Sequence, residues 1–150
     1  MRRLFLVLAL VTVPACAGAP TGPSSANTLV NIVGAWTGTL ASSNNPTVDI
    51  AVDLTQNGSD VRGSWHGTDI SWSGNVTATI NGSALSGQLT FTGITANQVT
   101  CTGMATISGS VNGTSMTLDS SNGVLGGTCP APLPASIRIE LRRNSGGAGA

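Results

Sequence analysis

Alternation with a period of two residues constrains this chain more than any other feature. In Val48-Asp49-Ile50-Ala51-Val52-Asp53-Leu54, apolar residues occupy every even position and Asp49 and Asp53 share the opposite face. Side chains of an extended strand point alternately to its two faces, so the pattern predicts a half-buried β-strand. Asn57-Gly58 follows, a hairpin signal because both residues tolerate positive φ. Val61, Gly63 and Trp65 share the next face. Ile70, Trp72, Gly74, Val76, Ala78 and Ile80 share another up to Asn81-Gly82, then Leu85, Gly87, Leu89 and Phe91. The odd positions from Val99 to Val111 lead to Asn112-Gly113, and Met116 and Leu118 begin a shorter strand. The last strand, Ala135 to Arg143, turns Ile137, Ile139 and Leu141 inward and Arg138, Glu140 and Arg142 outward. An opening strand, Val33 to Ala41, brings the number to eight.

No stretch carries helical apolar periodicity, which excludes parallel βαβ folds. Eight short-linked strands with one apolar face each predict an all-β, antiparallel, up-and-down barrel; a two-sheet β-sandwich with the same strand order is the alternative. Closure removes the edges that a Thr/Val-rich sheet otherwise exposes to aggregation. A barrel of about eight strands holds packed side chains or one small ligand.

Outside the strands the chain reads as an address. Met1-Arg2-Arg3 followed by the apolar run Leu4 to Val13 is too short for a mature transmembrane helix, which needs about 20 residues. A basic start, a short apolar stretch and small residues after it mark a secretory signal over 1–15. Val13-Pro14-Ala15-Cys16 resembles the lipobox of bacterial lipoproteins, with Pro14 departing from the small residue usual there, and the resemblance implies lipidation of Cys16. Ala15-Cys16-Ala17 equally fits the small-x-small site of ordinary secretion. Residues 16–32 then form a small, polar, proline-containing tether, 33–143 the barrel domain, and 144–150 a Gly/Ala/Ser tail expected to be disordered. Three cysteines are an odd number for an exported chain. A lipidated Cys16 leaves Cys101 and Cys129 as an even pair in an oxidising compartment. A disulfide between them would contribute about 3 to 4 kcal/mol on the chain-entropy account.

Composition removes several functions. Only 8% of residues are charged and Lys is absent, so a phosphate-backbone partner is excluded. After removal of 1–15, four Arg face six acids, a net charge of −2. Nucleophilic catalysis needs a base beside its nucleophile, and the only imidazole, His66, has outward parity at a strand end near Asp69. Asp49 and Asp53 share a solvent-facing side, where they act as solubilising charges. One His and no Cys-x-x-Cys argue against a metal site. The expectation is a monomer without cofactor and without enzymatic activity.

Gly34-Ala35-Trp36 resembles the first-strand Gly-x-Trp signature of the calycin superfamily, whose members include lipocalins, fatty-acid-binding proteins and avidins. The resemblance implies a lipocalin-like barrel in which Trp36 plugs one end and packs against a base from the last strand, here Arg143, by a cation–π contact of roughly 0.5 to 2 kcal/mol. Biotin contacts of the avidin kind do not carry over, because the chain has no Tyr. Residues 33–143, with Gly-x-Trp and Gly-Thr/Ser-rich strands, two late cysteines and an Ile-x-Leu-x-Arg ending, are similar to small bacterial envelope lipoproteins that have no assigned activity.

Two features bear on function. Inward glycines at 38, 63, 74, 87, 103 and 109 either leave room beside Trp36, Trp65, Trp72, Phe91 and Met116 for an apolar pocket, or let strands bend to close a filled barrel. The Gly/Pro-rich stretch 119–134 reads as a long connection, tethered by Cys129 to the strand bearing Cys101. The expected protein is a lipid-anchored resident of the bacterial envelope, most simply the outer membrane, or else a secreted one. It binds a small apolar ligand or an envelope partner; the competing expectation is an inhibitor of lysozyme or a secreted protease.

Overall fold

A computed structural model describes residues 28–43, 45–94, 98–127 and 136–145. The expected signal over 1–15, Cys16, most of the expected tether, Cys129 and residues 146–150 lie outside them. Eight strands run in chain order: β1 (Gly34–Ser42), β2 (Asn45–Asn57), β3 (Asp60–Gly67), β4 (Trp72–Asn81), β5 (Ala84–Ile94), β6 (Thr100–Asn112), β7 (Ser115–Gly127) and β8 (Ile137–Arg143). Each pairs antiparallel with the next, and β8 returns to β1 from Trp36↔Arg143 to Ser42↔Ile137, which closes the barrel. The up-and-down barrel predicted from the alternation is thus the fold, and the sandwich is not.

The burial pattern follows the parity of the sequence. In β2, Ile50, Val52 and Leu54 are buried while Asp49 and Asp53 are exposed, and β6 buries Cys101, Ala105, Ile107 and Val111. Among the described residues, twenty-two apolar ones form one core cluster. Fully burying a Leu, Ile, Val, Phe or Met side chain contributes about 1.5 to 3 kcal/mol, so the lining of the barrel is its main stabiliser. The interior below the mouth is filled: the void between Val52, Val61, Leu85, Met116 and Ile139 measures only about 20 Å³.

Glycine explains how a chain this poor in large side chains closes so tightly. A Cβ on Gly38 would stand 1.9 Å from the carbonyl oxygen of Glu140, and one on Gly109 would stand 1.9 Å from that of Thr117. The inward glycines at 38, 63, 74, 87 and 109 therefore mark close backbone approach, the Phe91 ring takes the space at Gly103, and they do not open a central cavity.

Several sequence expectations are corrected. The hairpin loops are Gly58-Ser59, Gly82-Ser83 and Gly113-Thr114, because Asn57↔Asp60, Asn81↔Ala84 and Asn112↔Ser115 are the closing pairs. Within these loops only the glycines have positive φ, at 58°, 59° and 53°. This is the type II′ pattern, with Gly at the first central position, and each Asn ends a strand. Ile70 and Val99 fall outside the strands, both exposed.

The largest correction concerns 119–134, read as a connection. Strand β7 continues to Gly127, because its pairing with β6 is interrupted only by a bulge: Ser108↔Asp119 is followed by Thr106↔Asn122, and the ladder then runs to Cys101↔Gly127. The extra residue shifts the alternation by one, so the period visible at Met116 and Leu118 is lost in a polar run. The tether is also shorter than 16–32: Ile32 is fully buried, and Leu29 and Val30 pack against the core.

Candidate functional site

The two ends of the barrel differ. At the end bearing the three hairpin turns, the segment before β1 plugs the opening. The Val30 amide donates to the Gly82 carbonyl (3.1 Å), and the Ile32 amide donates to Oε1 of Gln56 (3.0 Å). Trp36 is fully buried, and its Nε1 donates to the Ile32 carbonyl (3.0 Å). The Arg143 guanidinium lies 4.9 Å from the Trp36 ring centroid, a cation–π distance, and Nη2 of Arg143 donates to the Asn31 carbonyl. Trp36 and Arg143 thus meet as cross-strand partners, and they belong to this plugged end.

At the other end the barrel opens into a cavity of about 420 Å³. Trp65, Trp72 and Phe91 line it together with Leu40, Val48, Ile50, Ile70, Leu89 and Ile137. Each aromatic residue faces a glycine across the ladder: Trp65↔Gly74, Trp72↔Gly93 and Phe91↔Gly103. A Cβ on Gly93 would meet the Trp72 ring at 2.3 Å, and one on Gly103 would meet Phe91 at 2.3 Å. The rings therefore lie down over the neighbouring strand, the arrangement in which an aromatic side chain covers a strand glycine. Trp72 and Phe91 stack with centroids 5.7 Å apart and planes at 27°.

Trp65 does more than line the wall. Pairing between β4 and β5 runs through Ser73↔Thr92 and resumes at Val76↔Leu89. In the gap, the Trp65 indole N–H passes Gly74 and donates to the Thr90 carbonyl (2.9 Å), while the Asn75 amide donates to Oγ1 of Thr90 (3.1 Å). The bond is partly buried, and a carbonyl shielded from water is costly without a donor, so the indole both completes the wall and is fixed in orientation by it.

The polar groups at the mouth are few. Asp49 and Asp69 border the cavity and are exposed, and the Asp49 carbonyl accepts the Thr68 amide (2.9 Å). No Arg lines it among the described residues. The Ser120 hydroxyl is buried beside Ile137 with no hydrogen-bond partner among the described residues.

Of the five residues expected to line a pocket, three meet here. Trp36 lies at the plugged end, and Met116 borders the small interior void. Strand parity tells which face a residue takes; distance along the strand from the hairpin turns tells which end it reaches. Met116 follows a turn closely, whereas Trp65, Trp72 and Phe91 lie far from one. That count also points to Leu40, Val48 and Ile137, which parity alone did not single out. His66 is exposed on β3 opposite Ala51 and Ser73, and Asp53 faces solvent. Cys101 is buried in β6. No group of three or more His, Cys, Asp or Glu that could hold a metal occurs among the described residues.

Comparison with known proteins adds no relative: no protein family, no curated protein and no solved structure matches the chain.

Proposed function

We propose that this is an exported envelope lipoprotein, anchored through Cys16, that binds a small apolar molecule in the open mouth of its barrel without transforming it. One observation carries the binding reading: a cavity of about 420 Å³ walled by Trp65, Trp72 and Phe91 above an otherwise filled interior. Ligand sites are typically apolar concavities of about 300 to 1,000 Å³ with a few polar groups, and this one is held open by rings locked on glycines. The address at the N-terminus supports the anchored reading, and the plugged end supports a rigid, monomeric carrier. The competing inhibitor reading needs 119–134 as a projecting wedge, and through Gly127 that stretch is strand β7. We also propose that Cys101 pairs with Cys129, since Gly127, two residues before Cys129, is the cross-strand partner of Cys101.

Titration with N-phenyl-1-naphthylamine, a neutral apolar fluorophore, tests the site. Saturable binding with quenching of tryptophan emission is expected, and Trp72→Ala should weaken it about tenfold, the loss of roughly 1.4 kcal/mol of contact. Unchanged affinity in Trp72→Ala would place the fluorophore elsewhere. Separately, Cys16→Ser should move the protein from the membrane fraction to the soluble one; retention at the membrane counts against the anchor.

A further inference from the structure

Resting on the ligand-binding reading above, we infer that the mouth selects apolar molecules with a cationic head, an alkylammonium in chemical class, over carboxylate amphiphiles. The argument begins with where the charges are. The described residues that connect strands at the open end are 43, 68–71, 98–99 and 136, and Asp69 is the single charged residue among them. Asp69 borders the cavity, and so does Asp49 on β2. None of the four Arg after residue 15 lines the cavity, although Arg138 follows Ile137 on β8. Arg62 follows the Gly58 turn, Arg142 and Arg143 end β8 at the plugged end, and Arg138 is engaged by Asp119 (3.3 Å) and Glu140 (2.9 Å) on the outer surface. A carboxylate head entering this mouth meets two like charges and, among the described residues, no cation in the lining.

A cation meets the reverse. Three aromatic rings line the cavity, and the negative face of an indole or phenyl ring attracts an ammonium group. Asp49 and Asp69 supply charge at the rim, and such attraction acts over a Debye length of about 8 Å at physiological salt. The apolar tail then occupies the wall of Leu40, Val48 and Ile137.

Competition against bound N-phenyl-1-naphthylamine by three compounds of one tail length decides it: decyltrimethylammonium, decanol and decanoate at neutral pH. The ammonium is expected to displace the fluorophore at a concentration about tenfold below decanoate, with decanol between them. Asp69→Asn should reduce that preference about threefold, and Asp60→Asn, which removes the same charge at the plugged end, should leave it in place. Decanoate equal to or better than the ammonium overturns the inference, as does an equal effect of Asp60→Asn. Failure of the fluorophore itself to bind the unmodified protein overturns instead the reading on which the inference rests.

Discussion

A glycine in this barrel is a statement about its neighbour. At Gly38, the Cβ of alanine would stand 1.9 Å from a backbone oxygen of β8, which cannot move aside as a side chain can. Overpacking typically costs 1 to 3 kcal/mol. Gly38→Ala should reach about 3 kcal/mol, measured as a lower urea midpoint at unchanged slope. Gly58 offers the contrast: its φ is 58°, and a Cβ there would meet nothing within 4 Å. Gly58→Ala should cost only the left-handed backbone penalty, about 1 to 2 kcal/mol. If the two variants lose equal stability, close approach is not what glycine provides at 38. Trp36 shows how far single residues were legible. Its motif and the parity of Arg143 bring the two together in sequence, yet neither reveals that Ile32, outside any strand, receives the indole hydrogen bond.

At the scale of the element, strands are legible where one face is buried and one is wet, because burial then writes itself into alternate positions. Strand β2 is the clearest case, with its aspartates outward and its aliphatic residues inward. Strand β7 is the counterexample: a bulge between Asp119 and Asn122 breaks the alternation, and Ser120-Ser121-Asn122-Gly123 has the composition of a turn. Nothing local distinguishes a bulged strand from a loop there; the partner strand decides it. The candidate site was half legible for a related reason, since parity is a property of one strand and the mouth is a property of six. The corrected β7 sharpens one expectation. With Gly127 opposite Cys101, only Thr128 separates the end of the strand from Cys129. Peptide mapping without reduction should recover the segments containing Cys101 and Cys129 as one linked species, and recovery of both as alkylated thiols would refute the pairing. Its removal by Cys129→Ser should cost about 2 to 4 kcal/mol.

For the whole molecule, closure is the property on which the rest depends. Strand β8 contributes Ile137, Ile139 and Leu141 to the core and pairs on both sides, with β7 and with β1. Arg138 adds a tie from β8 to Asp119 of β7, and its guanidinium is held above its usual pKa by hydrogen bonding to Glu140 and the charge of Asp119. A raised cation pKa gives stability that is complete below the unfolded value and is lost only as pH rises through the folded one, so this tie persists across neutral pH. Removing β8 would strip three buried aliphatic residues and expose the edges of β1 and β7, each offering unpaired N–H and C=O groups. The mouth would lose Ile137, and the Trp36 plug would lose Arg143. A chain ended at Ser136 should therefore fail to fold as a seven-stranded sheet. It should lack near-ultraviolet circular dichroism from its tryptophans and aggregate on size-exclusion chromatography. A soluble truncated monomer that unfolds cooperatively would mean that the first seven strands form a domain by themselves, and closure would then be a refinement of the fold and not its condition.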